Sequence, residues 1–212
     1  MSFRNATWIR ASVLGLISLT PFLIAQEQPA APDAKQQAVL NLAKQVRKQI
    51  VTQPLYGVFD NIHFAIQGDT VILRGEASRP SLKPGIENSV KKIEGVNNVK
   101  NEIEVLPVSP NDDRIRAAVY ASIYQYGPLQ RYTSNRGGPR GRSVARAAGG
   151  ITNDPPIGYH AIHIIVKNGN VTLTGVVDSE ADLALAGMRT NSVPGVFSVD
   201  NDLMVASKTG TS

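Results

Sequence analysis

A short pattern occurs twice in this chain of 212 residues, displaced by one hundred positions. Ile62 and His63 return as Ile162 and His163, and Val71, Leu73 and Gly75 return as Val171, Leu173 and Gly175. Gly95, Val96, Val99, Asn101 and Val105 return as Gly195, Val196, Val199, Asn201 and Val205. These ten identities share one ungapped register, and nine of them fall on apolar, Gly and Asn positions, the kinds that folds use for structure. Two copies are too few for a solenoid, so the pattern predicts two small domains of one kind in tandem. Each would hold roughly 70–75 residues, a size that is marginal alone, so docking of one copy on the other is expected.

The two ends read differently from the repeat. Arg4 and Arg10 precede an apolar run from Ala11 to Ile24 that closes at Ala25. This layout predicts a secretory signal peptide over residues 1–25. The run is shorter than the ~20 apolar residues of a membrane span, and Pro21 interrupts it. Residues 26–32 form a Pro/Ala-rich linker, and the polar stretch 207–212 forms a tail. The chain has no cysteine, which leaves packing alone to hold an exported protein together and removes any thiol for a lipid anchor. Removing residues 1–25 takes two arginines and no acid from 22 Lys+Arg and 17 Asp+Glu, leaving +3, which says little about a partner.

Periodicity supplies the elements. Asp33 with Gln36 resembles a capping box opening a helix whose stripe is Leu42, Val46 and Ile50, carried to about Thr52 before Pro54. Ile62, Phe64 and Ile66 then alternate with polar or small neighbours as a strand, Gly68-Asp69 turns, and Val71 and Leu73 return. A second helix is expected from Pro84 to Ile93 with Gly95 as its left-handed cap, followed by a strand through Val99 and Val105. The second copy repeats this order. Asn111 or Asp112 caps the stripe Ile115, Val119 and Ile123, Asn168-Gly169 forms the turn, and Ser179 with Asp182 forms a capping box. The fold class expected is α+β. It consists of two tandem small α/β sandwiches over residues 33–107 and 111–206, each helix-strand-strand-helix-strand with two helices on a three-stranded mixed sheet.

The copies differ in one large respect. Copy two carries an insert over residues 131–156, with Arg131, Arg136, Arg140, Arg142 and Arg146, five glycines and no acid before Asp154. Composition favours a solvated, disordered loop. A second reading is an electrostatic tether to anionic lipid, each arginine contributing about 1 kcal/mol near such a surface. Nucleic acid is a third ligand for Arg-Gly segments, but an exported protein rarely meets it. Tyr120, Tyr124, Tyr126 and Tyr132 cluster beside the insert. Tyr next to Arg suits a membrane interface, and Tyr at i, i+4 on a helix also suits packing. The candidate lipid-binding set is therefore Arg131, Arg136, Arg140, Arg142, Arg146, Tyr124, Tyr126 and Tyr132.

The segments Asn168–Val176 and Pro194–Asn201 resemble the "G-x-V-x-L-x-G-x-V" and "v-x-G-V-x-x-V-x-N" signatures of BON domains. Copy one matches through Val71, Leu73, Gly75, Gly95, Val96, Val99 and Asn101. It departs at Glu76, where an apolar residue is usual, and at Ser81 to Pro84, where the family helix normally starts without a proline. The resemblance covers about three quarters of the chain and implies the same small sandwich. It also implies an exported, periplasmic protein serving envelope integrity and osmotic stress, with binding of anionic phospholipid in some tandem members. An adaptor that docks on an outer-membrane or secretion component is the alternative.

Chemistry that would make an enzyme is not written in the chain. There is no nucleophile elbow, Walker loop or dinucleotide fingerprint, and no carboxylate pair recurs between copies. His160 and His163 lie three apart on an extended segment and so face opposite ways, against a shared metal. His63 and His163 are expected at a strand surface or between domains. No cofactor, catalytic residue or metal ligand is expected.

Overall fold

The computed structural model describes residues 34–133, 156 and 159–207. The expected leader, the linker, the Asp33 cap, positions 134–155 of the insert and the tail from residue 208 lie outside the described residues. Copy one comprises α1 (Ala34–Val51), β1 (Asn61–Gln67), β2 (Thr70–Ala77), α2 (Leu82–Val90) and β3 (Asn98–Val105). Copy two comprises α3 (Pro110–Tyr124), a 3-10 segment (Gly127–Tyr132), β4 (Ile162–Lys167), β5 (Asn170–Val177), α4 (Glu180–Asn191) and β6 (Ser198–Val205). Each sheet is mixed. β1 and β2 form an antiparallel hairpin, and β2 and β3 run parallel because α2 crosses between them; β4, β5 and β6 repeat this with α4 as the crossover. The fold is the α+β tandem that the repeat predicts.

The repeated residues explain themselves at the sheet. Leu73 and Leu173 are fully buried, each in the core of its own copy. Gly75 and Gly175 have φ of +109° and +129°, and a Cβ on either would stand 1.9 Å from the carbonyl oxygen of Asn61 or Ala161. Only glycine permits that approach of the neighbouring strand. Asn101 and Asn201 each donate Nδ2 at 2.9 Å to a carbonyl in the first turn of the crossover helix, Lys83 and Leu183 respectively. That bond ties the last strand to the helix before it.

Three local expectations shift. α2 runs over Leu82–Val90 rather than from Pro84 to Ile93. Pro84 sits inside the first turn, where the missing N–H has no intrahelical partner to lose. Gly95 is left-handed, with φ +88°, but it closes the turn beyond the helix, and Lys91 is the cap. At α3 the cap is Ser109, whose side chain accepts from the Asp112 amide. The Asp112 carboxylate is spent elsewhere: it accepts from the amides of Asn168 and Gly169, both at 2.9 Å, and so holds the β4–β5 turn. Ser179 does cap α4, accepting from the Asp182 amide.

The copies dock through the α1–β1 connection. Val58 and Phe59 precede β1 in the chain, yet both are buried in the core of copy two. The Val58 carbonyl accepts from the Ile164 amide at 2.8 Å, pairing part of the otherwise open edge of β4. Phe59 meets Tyr120 edge-on with ring centroids 6.3 Å apart. The matching connection in copy two carries the insert, and its near end is part of the fold. The Tyr132 carbonyl accepts from Ala161, Thr133 bridges to His160, and Pro156 is buried at the far end. The residues at both ends of the expected 131–156 insert therefore belong to the domain.

Candidate functional site

α1 carries more than its buried stripe. No acid occurs between Asp33 and Asp60, while Lys44, Arg47 and Lys48 follow at i, i+3, i+4 on the solvent side of the helix. Leu40 and Val51 fall on the same side, and both are exposed. Among the described residues none of the three cations makes an ion pair. Beside them, between the copies, lies a cleft of about 980 Å³. Its near wall is Lys44, Arg47, Lys48 and Val51, its floor includes Ile50, Val58 and Ile62, and its far wall is Tyr159, His160 and His163 of copy two. Among the described residues that line it there is no carboxylate.

His163 stands against Tyr56, with ring centroids 6.1 Å apart. Burial pushes its imidazole below the ordinary value, against the backbone of Asp60 and Gly57, which pulls the other way. Burial, with the Asp60 charge behind it, pushes the Tyr56 phenol up to about 12. Asp60 is itself buried and accepts from the Gly57 amide and from the amide and hydroxyl of Ser78. His160 is buried between Tyr120 and Tyr124, with its Nε2 3.2 Å from the Tyr120 hydroxyl. Tyr159, by contrast, is 67% exposed at the rim.

The residues singled out from sequence scatter. Arg136, Arg140, Arg142 and Arg146 lie outside the described residues. Arg131 pairs with Asp178 and Asp182 and lies over the Tyr132 ring, so its charge is committed to the start of α4. Tyr124 and Tyr132 are buried. The Tyr124 hydroxyl donates to the Ile162 carbonyl, and that of Tyr132 donates to Asp182 and accepts from the Asp178 amide. Neither ring faces solvent. Tyr126 is exposed, with the Arg189 guanidinium 4.6 Å from its ring centroid. His63 is exposed on the strand surface, while His163 stands between the domains. Among the described residues no group of three or more His, Asp or Glu side chains could hold a metal ion. The cationic face of α1 was missed, although its acid-free run of basic residues at helical spacing was legible.

The described chain is thus a pair of small α/β sandwiches docked through a shared edge, with a cleft between them. The BON domain model matches residues 39–107 and again 145–207, and the chain belongs to the BON-domain family. BON domains are generally non-catalytic and their proteins are typically periplasmic, so membership supports a role at the cell envelope. No helix among the described residues is long and apolar enough to cross a membrane. No curated protein matches the chain. Two solved structures of CdsD are similar, one of them its C-terminal domain; CdsD is described as a structural protein of the Type III secretion system of Chlamydia trachomatis. Both are 12% identical over 79% of this chain, covering 94% and 98% of theirs, at a TM-score of 0.25. At that score the likeness carries no weight for function.

Proposed function

We propose that this is an exported, non-enzymatic envelope protein that holds to anionic phospholipid surfaces and maintains the envelope under osmotic stress. The observation that carries the reading is the α1 face, where Lys44, Arg47 and Lys48, without an ion pair among the described residues, stand beside the exposed Leu40 and Val51, with the exposed Leu55 just beyond the helix. Each cation contributes about 1 kcal/mol at an anionic leaflet, and exposed apolar side chains add by burial in the interface. Three cations alone give weak, salt-sensitive attachment, which is what a peripheral protein needs. The arginines at 136, 140, 142 and 146 would add to the same attraction. Co-sedimentation with phosphatidylglycerol vesicles, but not with phosphatidylcholine vesicles, tests this, and binding should fall as salt rises. Equal sedimentation with both, or with neither, rejects it.

One observation favours the adaptor reading. Val176 and Met204 are register partners on the open face of the second sheet, 45% and 64% exposed, where copy one places Glu76 and Glu104. An apolar pair that replaces an acidic pair suits a protein contact. That reading expects Val176→Glu with Met204→Glu to leave vesicle binding intact and to abolish capture of an envelope protein.

A further inference from the structure

The cleft differs from a merely cationic surface in three ways. It is concave and of a size that admits a small organic ligand. Among the described residues the charged side chains that line it have one sign, since Lys44, Arg47 and Lys48 do and no acid does. Its walls come from both copies, α1 and β1 on one side and Tyr159, His160 and His163 on the other. Charge of one sign in a concave, partly apolar setting attracts an anion more strongly than the same charges spread on a flat surface, because the low-dielectric walls focus the field. A bare phosphate would use the cations and leave the apolar parts idle. An amphiphilic anion uses both, because Val51 and the exposed Tyr159 border the same space as the cations.

We propose that this inter-domain cleft binds the headgroup of a single anionic phospholipid, with the phosphate against Lys44, Arg47 and Lys48 and the first part of an acyl chain along Val51 and Tyr159. The proposal rests on the phospholipid reading above and adds a saturable site, one lipid per chain, to what would otherwise be adsorption. Because both copies form the site, an occupied cleft also braces their docking.

The test titrates the full-length chain by calorimetry with dihexanoyl phosphatidylglycerol below its micelle concentration. The comparison ligands are dihexanoyl phosphatidylcholine and glycerol 3-phosphate, and vesicle co-sedimentation runs in parallel. Two variants are used: Lys44→Ser/Arg47→Ser/Lys48→Ser, and Arg136→Ser/Arg140→Ser/Arg142→Ser/Arg146→Ser. All seven changes remove charged side chains that the core does not contain, and a thermal melt of each variant checks that it folds. The expected result is one-site binding of the anionic short-chain lipid, weakened at least tenfold in the α1 variant and less than twofold in the other. The melting temperature of the wild type should rise with that lipid. Vesicle binding without binding of the monomeric lipid, or an α1 variant that binds the monomer as well as wild type, overturns the cleft site and leaves the surface reading standing. Glycerol 3-phosphate binding as tightly as the lipid identifies a soluble phosphate ester as the ligand and overturns the lipid, as equal binding of the choline lipid overturns the charge argument. Failure to bind either vesicles or monomer removes both the site and the reading beneath it.

Discussion

At Gly175 the backbone has φ +129° and lies against the Ala161 carbonyl, so Gly175→Ala adds both strain and a clash. Strain of this kind costs about 1–3 kcal/mol before the clash is counted. Gly127 has open space where its Cβ would be, and Gly127→Ala serves as the control, with an effect within about 0.5 kcal/mol. Urea melts of the two variants check the contrast. His163 gives a pH dependence. Burial lowers its folded-state pKa below the ordinary 6.5. Between that lowered value and 6.5 the unfolded chain holds more protons than the folded one, so stability is full above the window and is lost as pH falls through it. Asp60 runs the opposite way, since burial raises its pKa and its contribution is lost as pH rises through the raised value. The difference between wild type and His163→Gln isolates the histidine: the melting temperature of wild type should fall more steeply between pH 7.5 and 5.5.

Elements are where the repeat was most informative. Alternation placed Leu73 and Leu173 on inward strand positions, and both are fully buried. Each Leu→Ala change should cost about 2–5 kcal/mol, read as a shift in the urea midpoint; less than 1 kcal/mol at both would contradict the cores described. The insert was less legible. Composition marked Arg131 as the first of a solvent-facing series, but spacing cannot show that Arg131 meets Asp178 and Asp182, or that the Tyr132 hydroxyl bonds to Asp182. Deleting residues 131–156 therefore removes structural contacts, whereas deleting 134–155 with a Gly-Ser bridge spares Tyr132 and Pro156. Thermal melts should show the longer deletion clearly destabilised and the shorter one near wild type.

Across the whole molecule the copies are coupled in part through Val58 and Phe59 of the α1–β1 connection. Phe59 belongs to copy one by position and to the core of copy two by burial. Phe59→Ala should cost about 3–5 kcal/mol, and calorimetry should resolve the melt into two transitions as the copies lose their shared contact. A single unshifted transition would show that Phe59 does not couple them.

Local rules were enough for whatever each copy does alone. Hydrophobic period, turn residues and the hundred-residue register specified helix, hairpin, crossover and last strand, because these depend on neighbours a few residues away or on a partner copy of the same pattern. Ser179 was recognisable as a cap for the same reason, and Asn111 and Asp112 were misread because Ser109 and a distant turn competed for them. The cleft is of another kind. Lys44, Arg47 and Lys48 were visible as charges, but Tyr159, His160 and His163 come to face them only after Val58 pairs with β4 and Phe59 enters the second core. Contacts between residues a hundred positions apart follow from how two cores share an edge, and no local periodicity encodes that.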